Sequence, residues 1–234
     1  MQISKRIENY WDKRSKEFSR VRMLEVAGAD FLAWNEIIKK HLPADKNLKV
    51  LDVGTGAGVF AVLFSKLGHN VTAIDMSSKM LEEAKKNLAA LNCRAEFIRM
   101  NAQELNFDAE TFDVVISRNL TWTLPDAMEA YKQWHKVLKR GGILMNFDSD
   151  YGDKNFTNEN TCATGEVEYD MLVECTEIKN ALQISTHTRP QWDIELLESL
   201  GCKVSFDEDI SQLVHRDKNL EYDPVPLFGI YATK

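Results

Sequence analysis

A glycine-rich segment is the part of the sequence whose residue types and spacing point most clearly to chemistry. It reads Asp52-Val53-Gly54-Thr55-Gly56-Ala57-Gly58 and follows the apolar run 49–53, which is typical of a buried strand. Glycines at a strand-to-helix turn let the backbone pass close to a ligand, and the start of the helix offers free N–H groups. We therefore predict binding of a nucleoside-type cofactor, with contacts from Asp52, Gly54, Thr55, Gly56 and Gly58.

Two acidic residues narrow the choice of ligand. Asp75 ends the next predicted strand, where a carboxylate can accept hydrogen bonds from both ribose hydroxyls. Asp52 stands directly before the glycines, where its charge would repel the pyrophosphate of a dinucleotide. The charge pattern favours a cationic ligand such as S-adenosylmethionine, which carries a sulfonium and an amino group, over NAD.

Polar and aromatic residues after the fourth and fifth predicted strands are candidates for contacting a substrate. Asp148 and Asp150 share one face of an extended segment. Our hypothesis is that one of them is catalytic, orients an amine or hydroxyl acceptor and takes its proton; the alternative is that both are solvated loop acids. Trp122, Tyr151 and His187 are the predicted substrate contacts, and Phe156 and Trp192 extend a possible aromatic lining.

The elements that must position these residues alternate between short apolar runs and amphipathic helices. This alternation is typical of parallel βαβ units in a doubly wound sheet. The predicted strands are 49–53, 71–75, 95–99, 112–117, 142–147, 202–206 and 227–233. The predicted helices are 3–18, 23–41, 58–67, 78–91, 125–139, 165–183 and 190–200.

The domain organisation follows from where this alternation begins and ends. We predict a single domain with an N-terminal helical cap (1–43), a cofactor-binding core (48–149), a lid insertion (150–189) and a C-terminal helix with two strands (190–234). The lid is predicted because a compact domain rarely contains a connection of that length without a purpose.

Composition excludes several classes of partner. The chain of 234 residues has a formal net charge of -7, which opposes attraction to phosphate backbones, so no nucleic-acid partner is expected. No apolar stretch approaches the length of a membrane span, so no association with a membrane is expected. The four cysteines form no CxxC pair and no metal-like cluster with histidine. We expect a cytoplasmic protein without a metal; the oligomeric state stays open.

Five segments in a fixed order resemble the class I methyltransferases, and in particular the small-molecule group that includes the ubiquinone and menaquinone C-methyltransferases. They are 52–58, 71–77, 99–105, 112–120 and 138–144. The resemblance is close over about residues 48–148 and loose in the flanks. It implies a seven-stranded, mostly parallel α/β sheet with a reversed last strand. It also implies S-adenosylmethionine-dependent methyl transfer to a small molecule by in-line displacement, in which alignment supplies much of the catalysis.

The resemblance also implies roles for individual residues. The glycine loop would wrap the methionine part of the cofactor, Asp75 would hold the ribose and Met76 would flank the adenine. The third segment would contact the adenine through Asn101, Ala102 and Gln103. The pair Arg118-Asn119 is like that of the quinone methyltransferases. Tyr10 and Trp11 resemble a segment that caps the cofactor, with a purely structural core position as the alternative.

Other functions remain open at this stage. A methyltransferase acting on RNA or protein is the runner-up, although the acidic charge balance weighs against RNA. An NAD-dependent oxidoreductase is less favoured because of Asp52 and the GxGxG form of the loop. A non-catalytic cofactor-binding module is less favoured because the five segments are intact. The sequence does not distinguish O-, N-, S- and C-methylation.

Overall fold

One mixed β-sheet organises the chain. The computed structural model describes residues 2–43, 47–158 and 167–234. The strands are β1 (Lys49–Val53), β2 (Asn70–Asp75), β3 (Glu96–Arg99), β4 (Phe112–Arg118), β5 (Leu138–Ser149), β6 (Lys203–Asp207) and β7 (Leu227–Thr233). They form a seven-stranded sheet in the order β3-β2-β1-β4-β5-β7-β6.

The strand directions confirm the predicted fold. The pairs that join β1 to β5 are parallel, whereas β7 runs antiparallel to both β5 and β6. The carboxyl ends of β1, β2, β4 and β5 therefore meet at one edge of the sheet. Ligands of open α/β sheets bind at this edge.

Helices cover both faces of the sheet. They are α1 (Ile3–Ala27), α2 (Ala29–His41), α3 (Val59–Lys66), α4 (Ser78–Ala90), α5 (Ala127–Val137), α6 (Tyr169–Asn180), α7 (Gln191–Ser199) and α8 (Ser211–Val214). Because strand side chains alternate between faces, Leu51 and Val53 pack into a core with α5, α6 and α7, while Val50 packs into a second core with α2, α3 and α8.

The ends of α1 and α5 are two of the helix boundaries that differ from the prediction. Helix α1 continues without a break to Ala27, because Val21 and Glu25 extend its buried face, and it ends at Gly28. Helix α5 ends at Val137 instead of residue 139, because Leu138 already pairs with Phe112 as the first residue of β5.

The described residues contain neither a membrane-spanning helix nor a metal site. No described helix combines the length and apolar character needed to cross a membrane. Within the same residues, no three His, Cys, Asp or Glu side chains come together as a metal site would require. Residues 159–166 of the predicted lid lie outside the described part, and the domain boundaries stay a prediction.

Candidate active site

A large cavity lies at the carboxyl edge of the sheet, with α1 along one side. Side chains of α1 at helical spacing contribute to its lining: Ile7, Tyr10, Trp11, Phe18, Arg22 and Glu25. The ends of β1, β2, β4 and β5 contribute from the sheet, and α6 and the segment 215–227 complete the wall. The cavity is therefore where the sequence predicted a ligand.

The glycine loop borders this cavity with a backbone that favours glycine. Gly54 and Gly56 have φ angles of 67° and 53°, in the left-handed region, and both line the cavity. Gly58 does not line it, so its predicted cofactor contact needs correction. A Cβ at Gly58 would lie 2.8 Å from Leu88 Cδ1, which shows that this glycine permits close packing of α3 on α4.

Asp52 is buried directly beneath the loop. It is 2% exposed, and its carboxylate accepts a hydrogen bond of 2.6 Å from Thr55 Oγ1. Burial raises the pKa of Asp52 to about 7, against the opposing effect of the hydrogen bond from Thr55. An acid in this position gains from a cationic ligand, because a nearby positive charge favours its ionised form.

Asp75 connects the end of β2 to the glycine loop. Its Oδ2 accepts a hydrogen bond from Gly56 N at 3.0 Å, and its Oδ1 accepts one from Ser77 N at 2.8 Å. Burial raises the pKa of Asp75 to about 6. A carboxylate offers about four acceptor positions, so Asp75 can hold the loop and still accept hydrogen bonds from a diol.

The residues predicted to surround an adenine divide into two groups. Met76, Asn101 and Ala102 line the cavity. Gln103 does not, which corrects its predicted contact: its backbone N–H and Nε2 each donate to Asn101 Oδ1 at 3.1 Å, and its Oε1 accepts from Asp126 N at 2.5 Å. Gln103 therefore holds Asn101 in place.

Helix α1 is fixed across the Asp75 end of the cavity. Tyr10 and Trp11 both line the cavity and pack edge to face at 5.1 Å, and Tyr10 also belongs to the core. Asp12, which the sequence analysis gave no separate role, accepts a hydrogen bond from Ser77 Oγ at 2.5 Å. Ser77 in turn caps α4 by accepting from Met80 N. Asp12 could have been identified from the sequence, because it directly follows the predicted capping residues Tyr10 and Trp11.

A buried ion cluster lies at the end of β4. Arg118 and Asn119 line the cavity as predicted, and Arg118 pairs through both terminal nitrogens with Glu25 of α1. Glu25 also pairs with Arg22 at 2.9 Å. Although burial alone would raise the pKa of Glu25, Arg118 and Arg22 lower it to about 2. The sequence gives no signal for the Arg118–Glu25 pair, since the two residues are 93 positions apart.

Three aromatic rings form a continuous part of the cavity wall. Trp122, Tyr151 and Phe156 line the cavity, and their ring centroids lie 4.8 to 5.6 Å apart. Leu172 and Cys175 of α6 extend this apolar surface. Trp122 and Tyr151 are thus placed as predicted, and we call the three rings the aromatic wall.

Asp148 and Asp150 face away from the cavity, which corrects their predicted catalytic role. Asp148 is fully buried and accepts hydrogen bonds from Thr121 Oγ1 and from Trp122 N at 3.1 Å. Asp150 accepts from Gly152 N and Arg189 N, both at 3.0 Å. The two carboxylates do share a face, but Ser149 and Tyr151 are the neighbours that line the cavity.

The histidine prediction also needs correction. His187 stacks on Trp192 at 4.7 Å in a separate shallow pocket beside Pro125 and Asp126, so neither aromatic group is at the cavity. The histidine that lines the cavity is His215. It stacks on Tyr222 at 4.1 Å, and burial lowers its pKa.

Comparison with known proteins agrees with this geometry. Residues 50–142 match a family described as a methyltransferase domain. This stretch, which includes the glycine loop, Asp75 and the strands β2 to β4, is thus similar to methyltransferase domains. A SAM-dependent methyltransferase from Thermotoga maritima, titled a possible histamine N-methyltransferase, aligns with a TM-score of 0.65 at 18% identity over 97% of this chain and 99% of that one. A SAM-dependent methyltransferase from Aquifex aeolicus aligns with a TM-score of 0.59 at 18% identity over 92% and 97%.

A curated relative is more similar in sequence but over a shorter stretch. Demethylmenaquinone methyltransferase of Staphylococcus aureus is 31% identical over 134 residues, which is 56% of this chain and 55% of the relative. The chain thus spans about half the length of the curated relatives it matches. The match supports a likeness to methyltransferases over part of this chain.

Proposed function

We propose that the protein is an S-adenosylmethionine-dependent methyltransferase that acts on a small, planar and largely apolar molecule. The observation that carries the proposal is that the Asp75 carboxylate and the left-handed Gly54–Gly56 turn border one cavity. This combination suits a ribose next to a ligand that the backbone must approach closely.

The charges around the cavity favour this cofactor over a dinucleotide. Asp52 lies beneath the loop with its carboxylate hydrogen bonded to Thr55, and Asp75 borders the same space. A pyrophosphate would meet two carboxylates there, whereas a sulfonium and an amino group would be stabilised by them. The residues present therefore fit S-adenosylmethionine.

The chain's own residues would mainly bind and align. Asp75 would hold the ribose, Met76 and Asn101 would border the adenine, and the Gly54–Gly56 turn would hold the methionine part. When bound, the cofactor supplies an activated methyl group on a positively charged sulfur. The aromatic wall and α1 would exclude water and fix the acceptor in line, which is how positioning lowers the barrier.

The walls of the cavity support a small acceptor. The aromatic wall offers flat apolar surface, which suits a planar ring. The name of the S. aureus relative, demethylmenaquinone methyltransferase, makes a naphthoquinol the first acceptor to test. The enclosure by α1, α6 and the segment 215–227 weighs against RNA or protein as the substrate.

Two further expectations belong to this proposal. We propose that the segment 150–189 acts as a lid, which is supported by Tyr151, Phe156 and Leu172 lining the cavity. We also propose a cytoplasmic location, which is supported by the buried side chains of Cys93 and Cys202, neither of which is part of a disulfide.

A methyl-transfer screen tests the function. Purified protein is incubated with S-adenosylmethionine carrying a labelled methyl group and with 1,4-dihydroxynaphthalene, a panel of small amines, a peptide mixture or total RNA. The proposal expects labelled product from a small planar acceptor. Label in RNA or peptide alone would overturn the acceptor class, and absence of transfer to every class together with absence of cofactor binding would overturn the function.

A pair of tryptophan variants controls the screen. Trp122→Ala removes part of the aromatic wall, and we expect its acceptor KM to rise about tenfold or more, the loss expected for a buried aromatic contact. Trp192→Ala removes a ring in the shallow pocket next to His187, and we expect its KM to stay unchanged. Equal effects of both substitutions would contradict the assignment of the aromatic wall.

A further inference from the structure

A buried polar network lies directly behind the aromatic wall and has no part in the proposed cofactor site. Its members are less than a tenth exposed and come from four elements and the loop before α7: Thr121, Tyr131, Asn146, Asp148, Arg189 and Asp193. Arg189 lies at its centre and is hydrogen bonded to Asp193 at 2.9 and 2.8 Å and to Thr121 Oγ1 at 2.6 Å. Arg189 Nη1 also lies 3.4 Å from Asp148 Oδ2.

One side of this network contacts the turn that carries Trp122. The short 3-10 helix Thr121–Thr123 begins after Leu120, whose side chain provides no cap. The N–H groups at the start of a helix lack partners within it. Asp148 Oδ2 supplies the missing acceptor by binding both Trp122 N at 3.1 Å and Thr121 Oγ1.

The ring of Trp122 is fixed by this arrangement. Its Nε1 donates to Asn119 O at 3.1 Å, so the ring and the turn are held at two points. Arg189 Nη1 also donates to Ser149 O at 3.3 Å, next to the cavity. The network therefore holds the two chain segments that carry Trp122 and Tyr151 of the aromatic wall.

We propose that Asp148 is a positioning residue for the acceptor: from behind the wall it caps the Thr121–Thr123 turn and so sets the orientation of Trp122, with Arg189 as its buried counter-ion. The inference rests on the proposed function for its effect on turnover. Its structural part, the orientation of Trp122, is measurable without any acceptor.

The structure offers a matched pair of variants. Asp148→Asn and Asp193→Asn each remove one fully buried carboxylate charge next to Arg189. Asp148 contacts the Trp122 turn, whereas Asp193 contacts Tyr131 OH at 2.7 Å on the far side. A merely structural role predicts similar effects of the two substitutions on thermal stability and on Trp122.

The first readout is the ¹⁹F spectrum of protein labelled with 5-fluorotryptophan. Its five resonances correspond to five tryptophans, and Trp122→Phe assigns the one of interest. We expect Asp148→Asn to shift or broaden the Trp122 resonance and Asp193→Asn to leave it in place. An unmoved resonance in Asp148→Asn, or an equal shift in both variants, would overturn the proposal.

A second variant keeps the test decisive if Asp148→Asn fails to fold. Thr121→Val has nearly the same shape but lacks the hydroxyl that joins Asp148 to Arg189. We expect it to displace the Trp122 resonance in the same direction as Asp148→Asn. A Thr121→Val protein with the wild-type resonance would contradict the inference.

The second readout is kinetic and uses a double-mutant cycle. With 1,4-dihydroxynaphthalene, or whichever acceptor the screen labels, we expect Asp148→Asn to raise the acceptor KM about tenfold, because the hydrogen bond from Trp122 N then goes to a neutral amide oxygen and not to a charged carboxylate. The affinity for S-adenosylhomocysteine should stay unchanged. In the Trp122→Phe background the effect of Asp148→Asn should shrink; a fully additive effect would show that Asp148 does not act through Trp122. Wild-type protein that binds no S-adenosylhomocysteine would instead overturn the proposed function, with the ¹⁹F result still standing.

Discussion

Asp75 Oδ2 accepts a hydrogen bond of 3.0 Å from Gly56 N, so the acid that ends β2 directly holds the glycine turn that follows β1. The two strands are neighbours in the sheet, with Val53 opposite Ile74. The loop and the acid therefore form one unit, and a change in either is expected to alter the cofactor pocket as a whole.

Asp52 links cofactor affinity to stability and pH. Because burial raises its pKa from 3.8 to about 7, the folded protein holds a proton that the unfolded chain loses above pH 4. Stability therefore falls as pH rises from about 4 to 7. Asp52→Asn keeps an acceptor for Thr55 but cannot carry a charge. We therefore expect the variant to have a higher melting temperature than wild type at pH 8 and a similar one at pH 4. Calorimetry at both pH values measures this.

The same substitution should weaken binding of the charged cofactor. We expect Asp52→Asn to lose more affinity for S-adenosylmethionine than for S-adenosylhomocysteine, whose sulfur is neutral. Wild-type affinity for S-adenosylmethionine should approach that of the variant as pH falls below about 7. Equal losses for both ligands at pH 8 would contradict the assigned charge interaction.

Glu25 is expected to stabilise the protein in a pH-dependent way. Its pKa is lowered from 4.5 to about 2, so its contribution is present above pH 4.5 and is lost as pH falls toward 2. Glu25→Gln removes the buried carboxylate that pairs with Arg118 and Arg22, and we expect a loss of about 3 kcal/mol in the free energy of unfolding at neutral pH. Urea titrations of both proteins should show a smaller difference in the free energy of unfolding at pH 3 than at pH 7.

A matched control for Glu25 lies on the same helix. Glu17 pairs with Arg20 on the exposed side of α1. Exposed pairs contribute about 1 kcal/mol or less, so Glu17→Gln should have little effect at either pH. If Glu17→Gln costs as much as Glu25→Gln, the stabilisation is not specific to the buried cluster.

Gly58 and Gly68 separate backbone strain from helix packing. Both have left-handed φ angles, 87° and 83°, but a Cβ at Gly68 meets open space, whereas one at Gly58 would lie 2.8 Å from Leu88 and 3.3 Å from Ala84. Gly68→Ala should lower the free energy of unfolding by about 1–2 kcal/mol, which is the cost of the backbone strain alone. Gly58→Ala should cost about 1–3 kcal/mol more, because α3 and α4 must move apart. Chemical unfolding would compare them, and equal losses would refute the packing role.

The cofactor half of the site was predictable because its signals are local. The glycine loop, Asp75 and the residues 101–102 each follow a strand that periodicity identifies, and parallel strands bring their carboxyl ends together. The errors at Gly58 and Gln103 are of one kind: each residue supports a cavity residue or a helix contact without reaching the cavity itself.

The acceptor half was less predictable because its contacts span long stretches of sequence. Alternation correctly placed Asp148 and Asp150 on one face, but it cannot say which face meets the cavity, and their partner Arg189 lies about forty residues later. His215 and Tyr222 lie in an irregular segment between α8 and β7 that has no periodicity to interpret. Their position depends on Asp30 of α2, which accepts a hydrogen bond of 2.6 Å from Tyr222 OH.

The central claim, a cofactor site that recognises S-adenosylmethionine, is tested most directly by calorimetric titration with S-adenosylhomocysteine and, separately, with NAD. Wild-type protein should bind S-adenosylhomocysteine with micromolar affinity and should not bind NAD. Asp75→Ala should weaken that binding at least about tenfold, since it removes charged hydrogen-bond acceptors for the ribose. Binding of NAD instead, or an Asp75→Ala protein that binds S-adenosylhomocysteine as tightly as wild type, would contradict the account.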